Sequence, residues 1–505
     1  MKAKQSEILE TIKSKNLNYQ QKHHILANIA ERIVDPMEVL HYTTEEMQTI
    51  ENSMICDLNE GYGVYRPRYI VPDYAVFSEK GCKYLELEPP TDIDELLDGL
   101  LILYSHVPSI TSFPVFVGQL DQLIEPFITN EDEDYIKIKR FLNHIDKTVP
   151  DSFCHGNIGP KATRAGALIL KAVMALKNPT PNLTIKYNQD ITEREFARLA
   201  VKAALLAAKP SFSNDLGYIK DVGEHGIVSC YNALPIGGGA YTLLRLRLGT
   251  IAKSCDSREG LIKEALPYLS KTMFSMMDKR IQFIVEESNF FESSFLEKEG
   301  FINSENFTAM FAIVGLAEAV NHILEIENKD EKFGQSDDGD KIAHEILSTL
   351  EQAVNNHKAP YCERTNNHYL LHAQVGASLS QADKENTPAH RIPVGDEPIL
   401  PLHLTQSAQF HQYFPSGVGD LFAFDQTYLN NLDAVVDIIE GAFNQGYRYI
   451  TTYLQDSDLI RVTGYLVKRS EVEKARANEV VLRNTAMLGM GTDDNANVFN
   501  RRTRT

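Results

Sequence analysis

Helix-like and strand-like patterns alternate along this chain from about residue 150 onward. Residues 162–176 are rich in alanine with helical spacing, and Asn182–Tyr187 alternates side chains as a strand does. Residues 449–454 form another strand-like run. Because strands joined through a helix pair in parallel, repeated alternation favours a sheet or barrel whose strands run largely parallel. The chain is therefore predicted to adopt an α/β fold.

Several longer helical patterns complete this prediction. We expect a helix over residues 192–208 that begins with a capping box formed by Thr192 and Glu195. The first 150 residues are also predicted to be mainly helical. Periodic apolar residues predict three long helices, over residues 258–286, 307–326 and 341–356.

The net charge, the apolar runs and the cysteine spacing limit the binding partners and the cellular location that this chain can have. The 505 residues carry a formal net charge of -19, which argues against nucleic acid as a partner, because surfaces that bind nucleic acid are basic. No apolar run approaches the ~20 residues that a membrane span requires, and the first residues lack the apolar core of a signal peptide. Six scattered cysteines without a CxxC pair favour a reducing compartment. We expect a cytoplasmic protein that contacts neither membrane nor nucleic acid.

One glycine near the C-terminal end stands in the sequence Arg-Val-Thr-Gly-Tyr, residues 461–465. A glycine after the apolar residues Leu459, Ile460 and Val462 fits a turn that follows a buried strand. It equally fits a position where another group approaches the backbone closely, because glycine has no Cβ. Gly464 is therefore a candidate functional residue.

A cysteine lies in a second unusual segment, residues 226–239, which reads GIVSCYNALPIGGG. Cys230 follows a short apolar run and enters a loop rich in glycine and proline, a setting that can expose side chains to a central cavity. A buried structural thiol is the alternative interpretation. Since Gly464 lies far along the chain, only a fold that joins distant loops can bring the two residues together.

Taken together, these two motifs resemble those of the glycyl radical enzymes, and most closely the YjjI-type branch. A Pro-Ser…Asn-Asp segment at residues 210–215 and a short tail after Gly464 add to the resemblance. The family fold that it implies is a ten-stranded α/β barrel surrounded by helices, in which a Cys loop and a Gly loop meet at the centre. The implied regions are a helical part packing on the barrel (1–150), the barrel body with the Cys230 loop (151–448) and the glycine radical domain (449–505).

The resemblance also implies a chemistry. Gly464 would store an unpaired electron on its α-carbon, and Cys230 would act as a thiyl radical on a small polar substrate, cleaving a C–C or C–O bond anaerobically. A separate radical S-adenosylmethionine activase would install the oxygen-sensitive radical, with no permanently bound cofactor and no metal in the chain. Family members are commonly homodimers, so the same is expected here.

Three departures from known branches bear on the reaction. Pyruvate formate-lyases carry two adjacent cysteines, whereas Ser229 precedes Cys230 here. Diol-type members carry Cys-x-Glu, whereas this chain has Asn232, which can contact a substrate hydroxyl but cannot act as a general base. Anaerobic ribonucleotide reductases add a cysteine cluster near the glycine, and residues 449–505 contain none. Another residue would have to act as the general base, and Glu224, His225 and His403 are candidates because their side chains can accept a proton.

Two other functions fit parts of the sequence. A metal-dependent hydrolase is the first, because His368 and His372 are four apart and can share one face of a helix, near His357 and Cys362. A catalytically degenerate barrel scaffold is the second. The presence of both Gly464 and Cys230 argues against a scaffold.

Overall fold

The computed structural model describes residues 2–31, 36–57, 63–107, 115–149, 152–374, 387–462, 464–481 and 501–504. Helices and strands alternate through most of this length. The helices are Lys2–Lys13, Tyr19–Glu31, Pro36–Val39, Thr44–Glu51, Ala75–Lys80, Ile93–His106, Leu120–Ile124, Glu131–Thr148, Arg164–Leu176, Arg194–Ala207, Asp215–Val222, Leu248–Ala252, Leu266–Gln282, Phe290–Ser293, Phe295–Lys298, Leu316–Ile326, Asp337–Asn356, Leu400–His411, Leu432–Asn444 and Arg469–Arg476. No helix in these ranges is both long enough and apolar enough to cross a membrane.

The strands form two large sheets and two separate hairpins. In chain order they are β1 (Ile55–Cys56), β2 (Tyr69–Val71), β3 (Phe116–Gln119), β4 (His155–Ile158), β5 (Asn182–Tyr187), β6 (Ser211–Asn214), β7 (His225–Val228), β8 (Asn232–Pro235), β9 (Gly238–Arg247), β10 (Phe307–Val314), β11 (Leu370–Ala373), β12 (Asp420–Phe424), β13 (Tyr449–Leu454), β14 (Leu459–Arg461), β15 (Leu466–Lys468) and β16 (Thr503–Arg504).

Parallel pairing dominates the seven-stranded sheet, whereas the five-stranded sheet is mixed, because β1 and β2 each pair with β9 in antiparallel fashion. The five-stranded sheet has the order β1-β9-β10-β11, with β2 also paired to β9, and its strands β9, β10 and β11 run parallel. The seven-stranded sheet has the order β16-β12-β13-β6-β5-β4-β3, and the pair of β13 and β6 is antiparallel within it. The predicted α/β fold with a largely parallel sheet is confirmed.

Two antiparallel hairpins lie apart from these sheets. One joins β7 to β8 and the other joins β14 to β15. The first hairpin packs on β3 and β4 of the seven-stranded sheet and on β9 of the five-stranded sheet, so it lies between the two. Among the described strands, no hydrogen-bonded ladder closes the two sheets into one continuous barrel. The hairpins, rather than sheet strands, carry both candidate residues.

Two local predictions are wrong. Residues 307–314 form strand β10 rather than the first half of a helix, and the helix starts only at Leu316. All eight residues of β10 are buried and seven of them are apolar, so the run carries no periodicity that distinguishes strand from helix. The capping box is also absent: Glu193 occupies the N-cap position, and the Thr192 hydroxyl instead donates to the Pro160 carbonyl (2.9 Å).

The basic C-terminal segment is part of the sheet. Thr503 and Arg504 pair in parallel with Ala423 and Phe424 of β12. The Arg501 guanidinium is buried and donates to the Tyr453 hydroxyl (2.9 Å). The tail therefore covers an edge of the seven-stranded sheet close to the β14–β15 hairpin.

Candidate functional site

Cys230 stands at the tip of the β7–β8 hairpin. Ser229, Cys230 and Tyr231 form the turn, and Ser229 adopts a left-handed conformation with φ of 61°. The Cys230 side chain is 3% exposed, and burial raises the pKa of its thiol to about 11. The sulfur therefore keeps its hydrogen at neutral pH, as a hydrogen-atom donor must.

Two polar side chains of β4 hold the hairpin in place. The Asn157 side chain donates to the Ile227 carbonyl (2.9 Å) and accepts from the Ile227 amide (2.8 Å), and His155 Nδ1 donates to the Ser229 carbonyl (2.7 Å). His155 and Asn157 are two residues apart, so their side chains leave the same face of the strand. The hairpin residues that they bind, 229 and 227, are also two apart, so both sets of hydrogen bonds can form together.

Gly464 lies in the turn between β14 and β15. The Val462 amide donates to the Tyr465 carbonyl (3.1 Å) across this turn, and Thr463 of the motif lies outside the described residues. The Asn182 side chain, at the start of β5, donates to the Gly464 carbonyl (3.1 Å). Tyr465 is buried with its ring edge-to-face against Phe153 at 4.9 Å. These contacts fix the glycine in the protein interior.

The two hairpins touch at the two candidate residues. A Cβ added to Gly464 would lie 1.8 Å from Cys230 Sγ, 2.3 Å from its Cβ and 2.6 Å from its Cα. Because a carbon–carbon bond is about 1.5 Å long, the sulfur lies within about 3.3 Å of the Gly464 α-carbon. The hydrogen of Gly464 that occupies the Cβ position of an L-residue points at this sulfur. The separation is within the roughly 3–3.5 Å at which two atoms are close enough to react.

Strand register explains how such distant residues meet. His155 of β4 and Asn182 of β5 are direct partners in the parallel ladder, so their backbones lie about 4.8 Å apart. His155 binds the residue before Cys230, and Asn182 binds Gly464 itself. Adjacent strands of one sheet thus position both hairpins.

Further polar groups surround the thiol. The positive charges of Arg391, Arg461 and Arg68 act on Cys230 and oppose the effect of burial on its pKa. Asn232 lies beside the Tyr69 hydroxyl, and neither polar atom of its buried side chain has a hydrogen-bond partner within 3.5 Å among the described residues. The prediction that Asn232 contacts the substrate stays a prediction.

None of the three bases named from the sequence lies beside the thiol. Glu224 is exposed. His225 begins β7, about 13 Å of extended strand before Ser229 at roughly 3.3 Å per residue, and its Nδ1 donates to the Gly223 carbonyl (2.9 Å). His403 receives a hydrogen bond from the Arg504 guanidinium (2.8 Å) and packs on Phe422.

The metal-hydrolase alternative fails on secondary structure. His372 belongs to strand β11, and His368 precedes that strand, so the two do not share a helix face. His368 Nδ1 donates to the His357 carbonyl (3.0 Å), whereas His372 is fully buried near Tyr231. Within the described ranges, these histidines and Cys362 belong to no group of three that could hold a metal.

A different trio was missed by sequence reasoning. His390, His411 and Asp420 are buried together, with each histidine Nε2 within 3.5 Å of Asp420 Oδ2. His411 Nδ1 accepts the Arg448 backbone amide (3.0 Å), so its proton sits on Nε2 and leaves no lone pair there for a metal. Burial opposes charge on Asp420, but the histidines outweigh it and hold its pKa well below its usual range. His411 thus donates to Asp420 (3.4 Å), while His390 Nε2 lies 3.5 Å from the same carboxylate oxygen, so the trio does not offer three free ligands to a metal.

A family model and two related proteins align with nearly the whole chain. A family model described as glycyl radical enzyme YjjI-like matches residues 17–504. An uncharacterized protein of Haemophilus influenzae is 64% identical over 505 residues, covering 100% of this chain and 98% of that protein. The uncharacterized protein YjjI of Escherichia coli is 39% identical over 508 residues, covering 99% of this chain and 96% of that protein.

Solved structures with the same fold come from several radical enzymes. Anaerobic ribonucleotide reductase from Thermotoga maritima, with MES in its active site, gives a TM-score of 0.73 at 11% identity over 94% of each chain. A structure on 1,2-propanediol dehydration in Roseburia inulinivorans gives 0.68 at 11% identity, over 98% of this chain and 88% of that one. Glycerol-bound B12-independent glycerol dehydratase from Clostridium butyricum gives 0.64 at 13% identity, over 97% and 86%. The predicted glycyl radical enzyme-type α/β barrel fold is confirmed.

Proposed function

We propose, from the premise that this chain belongs to the YjjI-like family of glycyl radical enzymes, that Gly464 is its radical store and Cys230 its thiyl relay. The single observation that carries the proposal is that a Cβ added to Gly464 would lie only 1.8 Å from the Cys230 sulfur. The family is activated by radical S-adenosylmethionine enzymes, so the partner proposed here is an activase of that class.

The relay consists of two hydrogen-atom transfers. The Gly464 α-carbon radical takes the hydrogen atom of the Cys230 S–H group, which restores an ordinary glycine and leaves a thiyl radical. The thiyl then takes a hydrogen atom from a substrate C–H bond, which restores the thiol and leaves a substrate radical. The first transfer consumes the neutral S–H group and the second restores it, and burial, which raises the pKa of the thiol to about 11, keeps it in that form.

The proposed reaction is a lyase or dehydratase reaction on a small polar molecule. Ser229 replaces the second cysteine that acyl transfer between adjacent thiols requires. The buried Asn232 and its neighbours offer hydrogen bonds to a polar substrate. A homodimer is proposed on the family resemblance alone.

Activation requires movement of the β14–β15 hairpin. Gly464 is buried, and its carbonyl is held by Asn182. An activase that removes a hydrogen atom from this α-carbon must reach it directly, so the hairpin has to leave the Cys230 loop during activation and return afterwards.

Electron paramagnetic resonance tests the radical store. The chain, grown with glycine labelled with carbon-13 at the α-carbon, is incubated anaerobically with radical S-adenosylmethionine activases of glycyl radical enzymes, S-adenosylmethionine and a reductant. We expect a doublet that the label broadens, that persists in Gly441→Ala and that disappears in Gly464→Ala. A signal that the label leaves unchanged, or one that survives in folded Gly464→Ala, contradicts the assignment.

A further inference from the structure

A buried guanidinium, that of Arg391, lies near the thiol. Arg391 is 8% exposed, and its Nε donates to the Gly419 carbonyl (2.8 Å), while one terminal nitrogen has no hydrogen-bond partner among the described residues. No carboxylate of the described chain lies within 4.0 Å of this group. The guanidinium carbon lies 5.7 Å from the ring centre of Tyr231, the residue after Cys230. Because a buried charge without a partner is strongly unfavourable, the site calls for an anion.

A free lone pair also lies beside Tyr231, on His372, whose ring centre is 5.9 Å from the Tyr231 ring centre. The Ser416 hydroxyl donates to the Leu371 carbonyl (3.0 Å), so its oxygen accepts from His372 Nδ1 (3.2 Å). The proton of the neutral imidazole therefore sits on Nδ1, and Nε2 carries a lone pair. That Nε2 is buried and has no partner among the described residues. His372 thus offers one hydrogen-bond acceptor to a ligand.

The Arg391 guanidinium carbon and the His372 ring centre lie 5.7 and 5.9 Å from the Tyr231 ring centre, and two glycines allow this close packing. A Cβ on Gly417 would lie 2.4 Å from the Tyr231 carbonyl oxygen and 3.0 Å from His372 Cε1, so the imidazole lies directly against the turn that carries Cys230. A Cβ on Gly419, whose carbonyl orients Arg391, would meet Tyr449 at 2.6 Å and the Tyr231 ring at 3.2 Å. Buried polar atoms in proteins are nearly always hydrogen-bonded, so a cluster of unpartnered ones beside a reactive thiol indicates the polar groups of a ligand.

We propose that the substrate is a small hydroxylated anion, an inference that rests on the proposed function. Its carboxylate or phosphate pairs with Arg391, and its hydroxyl donates a hydrogen bond to His372 Nε2. A neutral polyol leaves the buried guanidinium unpaired, and an anion without a hydroxyl leaves the imidazole nitrogen unpaired. Asn232, with one donor and one acceptor side, takes a further polar group of the same molecule.

Calorimetric titration of the unactivated protein tests this proposal. The probes are glycerate, glycerol 3-phosphate, glycerol and propionate, and the first two separate a carboxylate from a phosphate. We expect glycerate or glycerol 3-phosphate to bind, and Arg391→Gln to weaken that binding by roughly 10- to 100-fold, the effect of losing a hydrogen-bonded charge. Arg198→Gln, which removes the same charge from a half-exposed surface pair, is the control and leaves binding unchanged.

The hydroxyl is tested with His372→Phe. For the wild type we expect glycerate to bind more tightly than propionate, and the phenyl ring to reduce that preference by roughly tenfold. Glycerol binding as well as both anions, anion binding unaffected by Arg391→Gln, or no binding of either hydroxylated anion would overturn the proposal. Because no radical is formed in this experiment, its failure is distinct from a failure of Gly464 to store one.

Discussion

Replacing Gly464 with alanine should strongly destabilise the protein even before any radical is formed. The new methyl group meets three atoms of Cys230 at 1.8, 2.3 and 2.6 Å, all far below ordinary van der Waals separation. Overpacked cores lose about 1–3 kcal/mol. Since hydrogen bonds from β4 hold the Cys230 turn, the backbone cannot withdraw, and we expect a loss of about 3 kcal/mol, the upper end of that range.

Two substitutions of Cys230, each combined with Gly464→Ala, check this geometry. Cys230→Ala removes only the 1.8 Å contact and leaves the Cβ at 2.3 Å, whereas Cys230→Gly leaves only the Cα at 2.6 Å. In a double-mutant cycle, Gly464→Ala should therefore be partly rescued by Cys230→Ala and more fully by Cys230→Gly. The sign and the order of the two rescues follow from the three distances alone.

The assay is urea unfolding of the purified, unactivated chains, followed by far-ultraviolet circular dichroism. Gly441→Ala is the matched control, because a Cβ there meets nothing within 4 Å and lies in the exposed part of a helix. It should gain roughly 0.5–1 kcal/mol. Equal stability of the two alanine variants, or no difference between the two rescues, refutes the close contact between the hairpins.

Other features of the site give further predictions. Asn157→Ala leaves the Ile227 backbone amide and carbonyl unpaired, so we expect a loss of about 3 kcal/mol in the same unfolding assay; an unchanged midpoint would show that the hairpin does not depend on this clamp. Arg504→Ala removes hydrogen bonds to the Pro398 carbonyl and His403, so carboxypeptidase should trim the tail faster than in wild type. Burial raises the pKa of the Cys230 thiol to about 11, so the thiol is protonated below that pH. The rate of hydrogen exchange between Gly464 and the thiol, measured by electron paramagnetic resonance, should therefore be constant through neutral pH and fall only as the pH approaches 11. A fall near the ordinary thiol pKa would contradict the dry environment.

Local sequence patterns predicted those elements whose residues differ from their surroundings. Asn182–Tyr187 and Tyr449–Leu454 were predicted at their observed bounds, because each is a short strand-like run flanked by polar or turn residues. Strand β10 was not, since eight consecutive buried residues satisfy strand and helix equally. Only its pairing with β9 and β11, a long-range property, decides between them.

The two candidate residues were found from their motifs, whereas the groups that hold them were not. His155, Asn157 and Asn182 are polar residues in buried strands, and an inward-facing polar residue can serve any neighbour that the fold provides. Their roles arise from the ladder that aligns β4 with β5 and from the hairpins that reach them. Only the alternative of a metal-dependent hydrolase placed His372 on a helix, and its strand position beside Tyr231 depends on the same long-range packing.

The most direct measurement of the central claim is solvent exchange into the glycyl radical. The chain is activated anaerobically in heavy water, where the Cys230 S–H becomes S–D, and the doublet from the remaining Gly464 α-hydrogen is followed by electron paramagnetic resonance. If the two residues exchange hydrogen atoms, the splitting collapses in the wild type and in Cys255→Ser, and it persists in Cys230→Ser. A splitting that survives in wild-type protein, or that collapses equally in Cys230→Ser, would contradict the relay.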